Sequence, residues 1–167
     1  MIAIAVVVTL VALQRLVELA YATRNTRALL ARGAVEVGAA HYPLFILLHA
    51  SWLICTAVVA FVTHASTNWW LIAFFAVLQC ARVWILATLG PYWTTRILTL
   101  PDAPLERGGP YRFFRHPNYV VVVLEIAVLP LAFGEYAVAI VFTVLNAALL
   151  WLRIGQEERA LASRRAA

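Results

Sequence analysis

Asn118–Leu152 reads NYVVVVLEIAVLPLAFGEYAVAIVFTVLNAALLWL, and this stretch decides the fold. It holds two apolar runs, Asn118–Phe133 and Tyr136–Leu152, parted only by Gly134 and Glu135. A helix needs about 20 mostly apolar residues to cross a hydrocarbon core roughly 30 Å thick. The first run is short for that, and Pro130 near its far end implies a bend or an early stop. A connection this brief makes the two runs a tight antiparallel hairpin. Working outward, Ile2–Ala20, Pro43–Val62 and Trp69–Leu89 read the same way. The expectation is an all-α integral membrane protein with five transmembrane helices. The runs are too long and too uniformly apolar for alternating barrel strands.

Composition agrees. Of 167 residues, 64% are hydrophobic and 13% charged, and the mean hydropathy is +0.86. Soluble domains carry roughly 25% charged residues, so a water-soluble fold and intrinsic disorder are both excluded. The net charge of +5 could suggest nucleic acid, but every basic residue is arginine and most lie between apolar runs. That arrangement belongs to a protein whose partner is the lipid bilayer, not nucleic acid. Cys55 and Cys80 sit inside apolar runs and form no secreted-type disulfide framework.

Arginines set the orientation. Arg24, Arg27 and Arg32 follow the first run; Arg96, Arg107, Arg112 and Arg115 precede the fourth; Arg153, Arg159, Arg164 and Arg165 fill the tail. These are eleven of the thirteen, and the other two connections hold none. All three basic segments share one face if the chain crosses five times, N-terminus outside and C-terminus cytoplasmic. The triplet Ala20-Tyr21-Ala22 looks like a cleavage site, but no positive residue precedes the first run, so a retained anchor is expected. Nothing divides the chain, and residues 1–167 read as one domain.

The polar residues are few enough for their positions to matter. Leu89–Tyr119 holds five of the seven prolines and three of the seven glycines, so a structured cytoplasmic loop is expected there. Tyr92, Trp93, Tyr111, Phe113 and Phe114 make it amphipathic, as an interfacial aromatic belt would be. Pro117 suits the first turn of the fourth helix, and the free N–H groups behind it, with Arg112 and Arg115 nearby, form an anion-binding corner around His116. Capping with basic headgroup anchors is the plainer account of the same residues.

Glu125 lies six residues past Tyr119, about 9 Å deeper at 1.5 Å per residue. A mid-membrane charge costs about 2.5–3.5 kcal/mol, so it needs a partner, for which Arg82 of the third run is the candidate. Their pairing is either structural or part of a site. Arg153 and Glu157 stand four apart, with Glu158 beside them, where the last helix leaves the membrane. The hairpin brings them level with His116, so a guanidinium, two carboxylates, an imidazole and a helix N-terminus converge at the cytoplasmic mouth. Arg15 and Glu18, three apart, read as an intrahelical pair. His41 and His49 are eight apart, the wrong spacing for a helical metal pair, and no metal site is expected. GGPYR lacks the lysine and spacing of a P-loop, and no GxSxG is present.

The run GPYRFFRHPNY (109–119), then Glu125, then LRIGQEERAL (152–161) resembles the isoprenylcysteine carboxyl methyltransferase superfamily of membrane methyltransferases. An RHPxY opening and an Arg-x-x-x-Glu-Glu ending across consecutive spans are its signature, covering roughly Gly108–Leu161. The first half, with RLVELAYATRN (15–25), GAVEVGAAHY (33–42) and LGPYWTTRI (89–97), resembles the small bacterial branch linked to O-methylation of alkylpyrones and alkylresorcinols. The absence of lysine and abundance of alanine fit a high-GC bacterial gene.

The resemblance implies S-adenosylmethionine as donor, bound from the cytoplasm by about residues 90–167. It implies that Arg115, His116, Pro117 and Tyr119 line the donor, with Arg153, Glu157 and Glu158 completing the site. The residues themselves suggest roles. Glu157 and Glu158 can accept from an ammonium and ribose hydroxyls, and Tyr111, Phe113 or Tyr119 can flank adenine. A carboxylate acceptor wants an arginine, Arg153; a phenol or enol wants a base, His116 or Glu157. Glu125, Arg82 and Trp93 are candidates for holding a lipophilic acceptor. Methylation of an alkylpyrone or alkylresorcinol hydroxyl is the leading expectation, and carboxyl methylation of an isoprenylcysteine-like acid is the second. An NADPH-dependent membrane reductase and a non-enzymatic bundle or transporter are the others.

Overall fold

The computed structural model describes residues 1–100 and 106–165. The side chains of 161–165, Arg164 and Arg165 among them, lie outside the described residues, as do residues 101–105 of the expected loop. Among the described residues five α-helices dominate: α1 (Ile2–Ala31), α2 (Tyr42–Val62), α3 (Trp69–Leu89), α4 (Pro117–Ala132) and α5 (Tyr136–Arg165). Four of them, α1, α2, α3 and α5, are long and apolar enough to cross a membrane. The fifth, α4, has only 16 residues and falls short of that length. Pro117 opens it and Gly134, at φ 75°, turns the chain two residues before α5. Yet α4 is the most enclosed helix, with nine of its sixteen residues buried between α3 and α5.

The interior proline of α4 is accommodated by a neighbour. Pro130 has no N–H to give the Ile126 carbonyl four residues earlier, which would be left unpaired in an apolar interior. The Trp52 indole of α2 fills the vacancy, donating from Nε1 to that carbonyl at 3.1 Å. At the same end, Asn68 caps α3 through its side chain and donates its own N–H to the Ala132 carbonyl at 2.7 Å. That ties the start of α3 to the end of α4.

Two differences from the expected outline stand out. First, α1 continues eleven residues past Ala20, carrying Arg24 and Arg27 on a helix rather than a loop. No glycine or proline interrupts it before Gly33, so nothing stops the helix where the hydrophobic run ends. Second, the fold is not purely helical. Strands β1 (Val35–Val37) and β2 (Ile97–Thr99) pair antiparallel, with Glu36 opposite Leu98. This ribbon draws together the connections after α1 and α3, at the same end of the bundle as the exit of α5.

Candidate active site

A cavity of about 610 Å³ lies at that end, walled by the tip of α1, the segment from Leu89 to Leu100, the approach to α4, and α5. Small-molecule sites commonly occupy about 300–1,000 Å³, so this one suits a cofactor, an acceptor, or parts of both. Its lining is mixed: Arg115, His116, Asn118, Arg153 and Glu157 share it with Leu29, Ala34, Leu89, Trp93, Ile97 and Leu100.

Tyr119 is the hub of the polar side chains. Its hydroxyl donates to Glu157 Oε2 at 2.5 Å and accepts from Arg153 Nε at 2.9 Å. The two tail residues thus meet through a residue of α4, whereas their four-residue spacing suggested a simple pair along α5. Arg153 also donates from Nη2 to the Thr95 carbonyl at 2.9 Å, and its guanidinium lies over the rings of Phe45 and Tyr119. His116 stacks on Tyr119, with Nδ1 3.6 Å from Glu157 Oε2 and Nε2 3.7 Å from Glu158 Oε1. Arg115 points outward, 3.7 Å from Glu158. That pair is exposed, and such pairs contribute little to stability. Tyr111 borders the cavity, its phenol pushed above the ordinary range by burial and then by the negative charge of Glu157 and Glu106.

Other expectations need adjustment. The N-terminus of α4 offers fewer free donors than a bare helix start, because Pro117 has no N–H and the Tyr119 N–H already bonds the His116 carbonyl. Phe113 is 72% exposed and is no neighbour for a bound ring, while Trp93 is only 2% exposed rather than part of an interfacial belt. Trp93 forms cavity wall and stacks on Tyr21 of α1, ring centroids 6.0 Å apart.

Glu125 and Arg82 are bonded, Nη1 to Oε2 at 3.1 Å, but away from the cavity lining. The expected Arg15–Glu18 pair joins them. Arg82 grips Glu18 at 2.6 and 2.7 Å, and Arg15 bridges Glu18 at 3.1 Å and Glu125 at 2.6 Å. Gln14 and Gln79 complete the cluster, Gln79 donating to Glu125 at 2.9 Å. Two positive and two negative groups leave it neutral, which is what an apolar interior requires.

The sequence reading missed Asn118 and Thr95. Asn118 stands inside the RHPNY motif, and its Oδ1, like Nε2 of His116, is buried with no hydrogen-bond partner among the described residues. Two such atoms on residues that line one cavity fit a ligand rich in amine and hydroxyl donors. S-Adenosylmethionine is such a ligand: Asn118, His116 and Glu157 can receive its polar groups.

A bundle of membrane-length apolar helices with a charged cavity at one end marks an integral membrane protein. Residues 69–163 match the model of the Isoprenylcysteine carboxyl methyltransferase (ICMT) family. The chain belongs to that family of membrane methyltransferases. It is 38% identical to the Uncharacterized protein YpbQ of Bacillus subtilis over 92% of this chain and 94% of that one. It is 27% identical to an Uncharacterized protein of Haemophilus influenzae over 88% of each. No solved structure matches it.

Proposed function

We propose that this protein transfers the methyl group of S-adenosylmethionine to a hydroxyl of an alkylpyrone- or alkylresorcinol-type lipid. The reaction takes place at the cytoplasmic face of a bacterial membrane, which the chain crosses five times, N-terminus outside, with α4 and α5 as the closing hairpin. The observation that carries the reading is the Tyr119 hydroxyl held between Arg153 and Glu157 in a cavity lined by both charged and apolar side chains. A polar donor and a greasy acceptor need such a two-natured hollow.

When bound, S-adenosylmethionine supplies an electrophilic methyl on a sulfonium. Arg153, fixed by Tyr119, Thr95 and Phe45, holds the acceptor oxygen in line, and alignment is one main source of rate. The proton of a hydroxyl acceptor goes to the His116–Glu157 pair, whose atoms stand 3.6 Å apart. Opposite charges are consumed in the transfer, so the apolar wall of Trp93, Ile97 and Leu100 favours it by keeping water out. Carboxyl methylation is the second reading; Arg153 favours it, because a carboxylate arrives ionised and needs a cation rather than a base.

The test has two stages. Purified protein in lipid nanodiscs binds S-adenosylhomocysteine in calorimetry, and labelled methyl then appears on an alkylresorcinol or alkylpyrone. Labelling of an isoprenylated cysteine instead selects the second reading. Binding of NADPH with no binding of either donor form refutes both and selects a reductase.

A further inference from the structure

The family match begins at Trp69, so α1 lies outside it, yet α1 reaches the heart of the site. Its buried residues include Ile4, Val11, Glu18 and Asn25, seven apart, with Ala22 and Leu29 alongside. That spacing is one stripe down one face. Glu18 on this stripe is gripped by Arg82 of α3 through two short bonds, which fixes α1 against sliding or turning relative to α3. Two turns further on, Asn25 meets the segment that leaves α3.

We propose that Asn25 is a positioning residue for Arg153, and that α1 is thereby part of the methyl-transfer machinery. The path is short. Asn25 Nδ2 donates to the carbonyls of Gly90 and Trp93 at 3.1 and 2.9 Å, closing the turn between them. Tyr21, one turn back on α1, stacks on Trp93. Two residues after Trp93, the Thr95 carbonyl accepts from Arg153 Nη2. Thr94 stiffens this stretch by donating to the Arg96 carbonyl at 2.7 Å, and Tyr42 holds the Thr95 hydroxyl at 3.0 Å. Asn25 is only 5% exposed and directs one nitrogen at two carbonyls. Its removal leaves the turn without its inner tie and lets the Thr95 carbonyl move away from Arg153.

This inference rests on the role assigned to Arg153 above, and the experiment separates the two. The full chain in nanodiscs is compared as wild type, Asn25→Ala, Arg153→Ala and the double variant, with Asn25→Leu, which keeps the side-chain volume without a donor, should the alanine variant not fold. A small misplacement of a reacting group can cost 100-fold, so Asn25→Ala is expected to lower kcat about 10–100-fold, with KM for the donor changed less than about 3-fold. In the Arg153→Ala background it should cost less than about 2-fold more, because coupled residues do not add. Independently of turnover, the Nε–H resonance of Arg153 in the ligand-free protein should shift or broaden in Asn25→Ala. Losses that multiply in the double variant, or an Arg153 resonance left unchanged, overturn the proposal. A wild type that transfers no methyl refutes the function proposed above, and the Arg153 resonance still decides whether Asn25 positions it.

Discussion

Replacing Arg82 with glutamine tests what the buried charge cluster contributes. Arg82 donates three hydrogen bonds, two to Glu18 at 2.6 and 2.7 Å and one to Glu125 at 3.1 Å. Without its charge, two carboxylates share Arg15 alone, and the cluster passes from neutral to a net negative charge inside the bundle. Breaking a buried pair by removing one partner costs about 3–5 kcal/mol, most of it from the charge left uncompensated. Arg15 offsets part of this, because it already touches both carboxylates and is the most exposed member. The lower end, about 3 kcal/mol, is therefore expected. Adding Glu18→Gln restores neutrality, so the double variant should recover more than half of the loss. Reversible unfolding in mixed micelles, followed by helical circular dichroism, measures both. A single variant within about 1 kcal/mol of wild type, or a double variant less stable than the single, would refute the claim that charge balance holds this cluster together.

Other perturbations follow from the same geometry. Tyr119→Phe removes the hydroxyl between Arg153 and Glu157 and with it two charge-assisted bonds; S-adenosylhomocysteine should bind at least about 10-fold more weakly in calorimetry, consistent with about 1.5–3 kcal/mol per such bond. Gly38→Ala strains a residue at φ 69° and drives a methyl into Gln156, so the melting temperature should fall by the equivalent of about 1–2 kcal/mol. Glu135, between α4 and α5, has both carboxylate oxygens buried with no partner among the described residues, and burial raises its pKa from 4.5 to about 7. Because the folded value is the higher one, the native state holds the proton more tightly, and stability falls as pH rises from about 4.5 to 7. Glu135→Gln should flatten that slope and raise stability at pH 8; an unchanged pH profile would exclude Glu135 as its source.

The helix positions were largely legible because punctuation marks them. Pro43 opens α2, Asn68 caps α3 and Gly90 ends it, and α3 falls on the expected bounds. Where punctuation is missing the reading failed: hydropathy locates the apolar part of α1, but a helix continues until something stops it. The ribbon was illegible for another reason. Strands of three residues, paired across about sixty residues of chain, carry no local signal that separates Val35–Val37 from any other short alternation.

The site divides along a physical line. Residues whose side chains bear charge or a ring, such as His116, Tyr119, Arg153 and Glu157, announce themselves in a chain this apolar, and the fold brings them together. Those whose role is to hold backbone do not. Asn25 acts on the carbonyls of Gly90 and Trp93, and Thr95 offers its own carbonyl to Arg153; neither contact depends on a motif. The buried charges lie between these cases. Neutrality alone demands a partner for Glu125, and Arg82 is its partner, but that four charges on three helices meet in one cluster depends on helix rotation, which charge counting does not fix. Coupling between α1 and the site is therefore a property of packing, and the Asn25 and Arg82 variants probe it from opposite ends: one loosens the turn near Arg153, the other the anchor that holds α1 in register.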